Sequence, residues 1–162
     1  MIATTERGKV IGGSDIAAVM GLSRWKSPLK LWAEKTGKIE DSLSDFEAAE
    51  IGVELEDFVA RKFERKTGLK VRRQPQEYKH RDHPYMVGHV DRLVLDGEGV
   101  LECKTTSGWN ARQWEGDEIP VEFTLQTMWY LGLTGRKKGY IDVLIGGQRF
   151  LWKEIAFDRE LF

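Results

Sequence analysis

The pair Asp96-Gly97 stands between two runs rich in apolar and β-branched residues, YMVGHVDRLVL at 85–95 and GVLECKT at 99–105. Asp-Gly between alternating hydrophobics is a strong short-range signal for a hairpin. No other feature constrains the fold as tightly, because a hairpin decides which side chains share a face. Residues two apart in a strand point the same way, so Glu102 and Lys104 lie together. A two-residue loop pairs positions whose numbers sum to an odd total. Turning on Asp96-Gly97 sets Asp91 opposite Glu102, and turning on Gly97-Glu98 sets it opposite Lys104. In both registers Asp91, Glu102 and Lys104 share one face, while Val90, Leu101 and Cys103 take the other.

The elements around this hairpin follow from local signals. Ser14 or Asp15 is a candidate cap for a short helix through Met20, ended by Gly21. Ser27-Pro28 is a second start signal, with proline at the first helical position, for a helix that stops at Gly37. Ser44 and Glu47 have capping-box spacing and open a long helix to Thr67, closed by Gly68. Leu55, Val59 and Phe63 recur every four residues and give it a buried stripe. Residues 69–79 read as extended or loop, with Pro75 arguing against a central strand. Residues 109–115 predict a short helix, and Pro120 starts a longer one through Leu133. YIDVLIG and RFLWKEIAF then flank Gly146-Gly147 as a second hairpin. The order predicts an α/β (mixed α+β) class, a central mixed sheet flanked by helices, in a single domain over 1–162.

The single cysteine, Cys103, excludes an internal disulfide and a multi-cysteine metal cluster, and it fits a reducing compartment. Residues 1–10 lack the apolar core of an export signal, and no apolar run approaches the ~18 residues of a membrane span. The expectation is a cytoplasmic protein with no membrane partner.

The formal net charge is −1, which argues mildly against nucleic acid. Its distribution argues otherwise. Residues 40–57 carry eight acids and no base, and residues 61–81 carry nine bases and two acids. A solvated helix face is the plain reading of either run alone. An acidic cluster beside basic tracts is what a site needs if it binds a metal and then phosphates. Arg61, Lys62, Arg65, Lys66, Arg72 and Arg73 are candidates for the phosphate backbone. Trp25 and Trp109 are candidates for stacking on bases. His80, His83 and His89 lack the second ligand cluster that a zinc site requires.

Two carboxylates and an ammonium on one sheet face are often a cross-strand ion pair. They also suit Mg²⁺, which takes a few carboxylates together with water and phosphate oxygens. Asp91 with E-C-K at 102–104, preceded by Pro84, resembles the PD-(D/E)XK nuclease superfamily. The closer likeness is to its lambda-exonuclease branch, the YqaJ-type phage recombinase nucleases. Five pieces in order carry it: RGKVIGGSD at 7–15, GVELED at 52–57, GHVDRLV at 88–94, LECKT at 101–105 and QTMWY at 126–130.

The resemblance implies a restriction-endonuclease-like core and a role for each matching residue. Asp91, Glu102 and the Cys103 backbone carbonyl would be metal ligands, and Lys104 would orient the attacking water. Glu56 matches the family's helical acid and would serve a metal, with Glu54 and Asp57 as rival positions. Gln126 and Tyr130 fit a Q-x-x-x-Y helix motif beside the scissile phosphate. Arg7 and Ser14 match a pair that contacts the DNA end phosphate. The family's further phosphate-binding arginine is replaced by Asn110, and Arg112 is the candidate substitute.

The activity implied is a Mg²⁺-dependent 5′→3′ exonuclease on double-stranded DNA ends, with Mn²⁺ substituting. Its 3′ overhangs would pass to a single-strand annealing protein, and the assembly would be a homotrimer. The alternatives are a structure-specific endonuclease on the same fold and a non-catalytic DNA-end binding module.

Overall fold

A computed structural model describes residues 8–40, 46–95 and 97–162. Arg7, the Ser44 cap and Asp96 of the predicted turn lie outside them. Four α-helices and seven strands are described: α1 (Ile16–Val19), α2 (Pro28–Lys35), α3 (Phe46–Thr67), β1 (Val71–Arg73), β2 (Tyr78–Lys79), β3 (Val87–Gly88), β4 (Arg92–Val94), β5 (Gly99–Thr106), α4 (Val121–Thr134), β6 (Lys138–Ile145) and β7 (Arg149–Ala156). Short 3-10 helices precede α1 (Gly13–Asp15) and follow β5 (Gly108–Trp114).

The main sheet has the order β1-β4-β5-β6-β7, with β5 and β6 parallel and the other pairs antiparallel. A parallel neighbour needs a crossover connection, and the segment carrying α4 supplies it. The predicted mixed sheet flanked by helices is therefore the observed architecture.

Alternation along β5 divides the core. Val100 packs with Leu125, Met128 and Leu131 of α4. Leu101 packs on the other face with Ala60 and Phe63 of α3. The predicted stripe on α3 is buried in earnest at Val59 and Phe63, both 0% exposed. Beyond β5 on the α4 face, Ile141, Val143 and Ile145 bury Trp114, whose ring stacks on Phe123.

Several local signals are realised. The Ser27 hydroxyl accepts the Lys30 N–H at 3.2 Å, with Pro28 opening α2. Gly146 and Gly147 both take positive φ, as the tight turn between β6 and β7 requires.

Three expectations are corrected. The cap before α1 falls to Asp15 by position, though without a side-chain bond into the helix, while Ser14 is exposed and makes no cap bond. Instead the Asp15 carboxylate reaches back to accept the Gly12 N–H at 2.9 Å. The strand expected over 85–95 is broken in two. Val87–Gly88 pairs with Tyr78–Lys79 in a separate two-stranded sheet, and only Arg92–Val94 joins the main sheet. The segment between them leaves the ladder because the Asp91 side chain takes a β5 N–H. The helix expected at 109–115 is the 3-10 helix Gly108–Trp114.

Candidate active site

β4 and β5 pair as Arg92↔Leu101, Leu93↔Val100 and Val94↔Gly99. The partner numbers sum as the Asp96-Gly97 register requires, so Asp91 falls opposite Glu102. Asp91 stands one residue before β4, and its Oδ2 accepts the Cys103 backbone N–H at 2.8 Å. That bond fixes the carboxylate against the strand carrying Glu102 and Lys104.

On the α4 side of β5 the polar groups form a closed network. Lys104 Nζ donates to Glu102 Oε1 at 2.6 Å and to Gln126 Oε1 at 3.1 Å. Gln126 Nε2 donates to the same Glu102 oxygen at 2.6 Å and to the Tyr130 hydroxyl at 3.0 Å. Gln126 and Tyr130, one helical turn apart, thus point together as the motif predicts. Phe123 places its ring 5.1 Å from Lys104 Nζ. The backbone yields to the Tyr130 ring: a Cβ on Gly13 would lie 2.7 Å from it, and one on Gly88 2.9 Å. Close backbone approach explains why GGSD and GHVD both carry glycine there.

Burial governs the titration. Burial first, then the charge of Glu102, pushes Asp91 up to about 8, against the pull of Lys104 and the Cys103 N–H. Burial likewise raises Glu102, with Lys104 opposing. For Lys104 burial works against the charge, but Glu102 and Asp91 outweigh it and hold the ammonium above its ordinary pKa. Burial raises Tyr130 too, so its phenol stays protonated.

Glu102 Oε2 is buried and has no hydrogen-bond partner. A bare carboxylate oxygen beside a second carboxylate whose pKa is raised is a donor set that fits a divalent cation. Among the described residues no three His, Cys, Asp or Glu side chains converge on one point. A cation here would draw on Asp91, Glu102 and the Cys103 carbonyl, with water completing its shell.

The other candidates are placed differently. Glu56 lies near enough to raise both Asp91 and Glu102 electrostatically, yet its carboxylate is held by Arg92 Nη1. Ser14 is exposed in the first 3-10 helix, and Arg112 is exposed in the second with no ion pair among the described residues. His89 faces Glu77 at 3.7 Å. Among the described residues none of Arg61, Lys62, Arg65, Lys66, Arg72 and Arg73 forms an ion pair, which leaves that basic surface open.

Sequence reasoning missed two residues. Arg92 is 3% exposed, ion-paired to Glu56 and Asp57, and donates to the Asp91 carbonyl at 2.7 Å. Asp142 is 0% exposed beside Cys103 in the β5–β6 ladder, and neither carboxylate oxygen has a hydrogen-bond partner. The signal for both was charge inside core-like strands, DRLV and YIDVLI.

The fold defines a class. It is similar to the alkaline exonuclease LHK-Exo from Laribacter hongkongensis, with a TM-score of 0.79 and 22% identity, covering 96% of this chain and 81% of that one. It is also similar to a phage related exonuclease from Haemophilus somnus 129PT, with a TM-score of 0.64 and 14% identity, covering 94% and 86%. The model of the YqaJ-like viral recombinase domain matches residues 4–137, and the chain belongs to that family. Protein YqaJ of Bacillus subtilis (strain 168), itself uncharacterized, is 46% identical over 158 residues, covering 96% of this chain. The chain spans 50% of that relative's length. No helix among the described residues is long and apolar enough to cross a membrane.

Proposed function

We propose that this chain is a divalent-cation-dependent deoxyribonuclease that removes the 5′ strand from double-stranded DNA ends in the 5′→3′ direction. The observation that carries the reading is the convergence of Asp91, Glu102, Lys104 and Gln126 at one place on β5. Mg²⁺ is the proposed cation, with Mn²⁺ able to replace it. Asp91, Glu102 and the Cys103 carbonyl would hold it, and it would supply an acidified water and charge neutralisation at the phosphate.

The chain's own residues do the rest. Lys104 is anchored by Glu102 and Gln126, so its ammonium is aimed without further ordering. It orients the attacking water and offsets charge on the phosphate. Gln126 stays fixed because both of its N–H bonds and its carbonyl are used. Tyr130 accepts from Gln126 and keeps its own proton to donate to a phosphate oxygen. Exposed Ser14 and Arg112 supply polar contacts to the end phosphate, together with Arg7. The product is a 3′ single-stranded overhang, the substrate of a single-strand annealing protein in phage-type recombination. A homotrimer belongs to the same proposal and rests on the family resemblance.

The test uses linear duplex DNA with 5′-phosphates and Mg²⁺. The expected outcome is release of nucleotides from the 5′ ends, abolished by EDTA and reduced about 10³-fold by Lys104→Ala. Equal degradation by both proteins would overturn the mechanism. Cleavage of a covalently closed circle would favour an endonuclease. Cation-dependent DNA binding without nucleotide release would reduce the chain to an end-binding module.

A further inference from the structure

Two buried ionisable side chains on the α3 side of β5 have no place in the mechanism above. Arg92 stands opposite Leu101 on β4, and Asp142 stands opposite Cys103 on β6. Leu101 and Cys103 share a face of β5, so Arg92 and Asp142 flank that face from its two neighbouring strands. Both lie beneath α3, and they interact electrostatically. Yet the guanidinium is spent on Glu56, Asp57 and the Asp91 carbonyl. The Asp142 carboxylate has no partner beyond the Cys103 thiol beside it.

A fully buried carboxylate so poorly partnered is costly and calls for an explanation. Glu56 poses a matching puzzle. It lies within electrostatic reach of Asp91 and Glu102, but its Oε1 is held by Arg92.

We propose that Arg92 and Asp142 are positioning residues for Glu56. Arg92 holds Glu56 in the cation-free protein, and Asp142 is the second partner that takes the guanidinium when Glu56 turns to a cation. Asp57 keeps one edge of Arg92 throughout, so the change is a swing of the fork rather than its release. The exchange explains why an unsatisfied acid persists under α3. A buried arginine left without Glu56 would otherwise lose most of its compensation. The inference rests on the functional reading, since it takes Glu56 to serve a cation.

The decisive experiment measures Mn²⁺ binding by titration calorimetry, without DNA. Asp142→Asn keeps the shape and removes the ability to ionise. It is expected to weaken Mn²⁺ binding about tenfold, in the range typical of residues that orient a metal's ligands. Its loss of nuclease rate should be recovered at higher Mg²⁺. Glu56→Gln should weaken Mn²⁺ similarly, and the double variant should be no weaker than Glu56→Gln. Additive losses would mean that Asp142 acts only as a diffuse negative charge, and they would overturn the proposal. So would unchanged Mn²⁺ affinity in Asp142→Asn.

A measurement on the unmodified protein guards against a misfolded variant. Saturating Mg²⁺ should shift the ¹⁵N guanidinium resonances of Arg92, and no shift would sink the exchange. If the unmodified protein binds no Mn²⁺, the functional reading falls and takes this one with it. If it binds and only the Asp142→Asn effect is missing, this inference falls alone.

Discussion

The two faces of β5 solve the same problem in opposite ways. On the α4 face, Glu102, Lys104, Gln126 and Tyr130 bond to one another in a closed set, leaving only Glu102 Oε2 bare. On the α3 face, Arg92 is crowded by two carboxylates while the Asp142 carboxylate has no partner beyond the Cys103 thiol. A satisfied buried network is rigid, and a half-satisfied one stores an alternative arrangement. On the proposed reading, the α4 face holds groups still during chemistry and the α3 face lets one acid move. Substitutions on the first should therefore act on the rate of cleavage. Substitutions on the second should act on the cation concentration at which cleavage occurs.

The largest effect should come from Glu102→Gln. It removes one proposed ligand and the charge that anchors Lys104, so nuclease turnover should fall on the order of 10³-fold. The same variant should be less stable than the unmodified protein without cation, because the buried Lys104 ammonium loses the carboxylate paired with it. Raising Mg²⁺ should not rescue it, in contrast to Asp142→Asn. Rescue by Mg²⁺ would erase the difference between the faces.

Next in size is a dependence of stability on pH. Asp91 and Asp142 both have folded pKa values near 8 against an ordinary 3.8. Between those values the folded protein holds protons that the unfolded chain has given up. Stability from these groups is therefore present below about pH 4 and lost as pH rises to about 8. The melting temperature of the cation-free protein should fall from pH 5 to pH 8.5 by on the order of 5 °C or more. Asp142→Asn cannot ionise and should flatten that slope, while Mg²⁺ should restore stability at the alkaline end by binding the ionised Asp91. A melting temperature independent of pH would show that neither acid is held protonated.

How much of this was legible follows from the range of each interaction. Ser27-Pro28, Gly146-Gly147 and the i, i+4 pair Gln126–Tyr130 are local, and their chemistry can be read directly. The hairpin register was narrowed to two alternatives by strand periodicity, and the observed pairing of β4 with β5 is the one that sets Asp91 opposite Glu102. The break in the strand over 85–95 was not legible. It depends on Asp91 using its carboxylate, rather than its backbone, to meet Cys103. Asp142 was invisible as a site residue because only the long parallel pairing of β5 with β6 sets it beside Cys103. Arg92 was not legible as a site residue, since nothing local says that α3 closes over it and supplies Glu56 and Asp57.

The smallest expected effect lies outside both faces, on the 3-10 helix after β5. Trp109 is 96% exposed on the 3-10 helix that leaves β5 just beyond Lys104. The helix is pinned, since Asn110 donates to Thr106 and Gln113 to Asn110, at 3.1 and 3.2 Å. Arg24, beside the 74% exposed Trp25, donates to Gln113 at 2.7 Å. An indole in water on a rigid support contributes nothing to the core, so Trp109→Ala should leave the melting temperature unchanged. Stacking on an unpaired base is worth at least ~1 kcal/mol, so the KM for DNA ends should rise about fivefold with kcat nearly constant. A 2-aminopurine at the 5′ terminal position should report less quenching in the variant. Unchanged KM and quenching would confine the proposed DNA contacts to the α4 face of β5 and the open basic surface of α3 and β1.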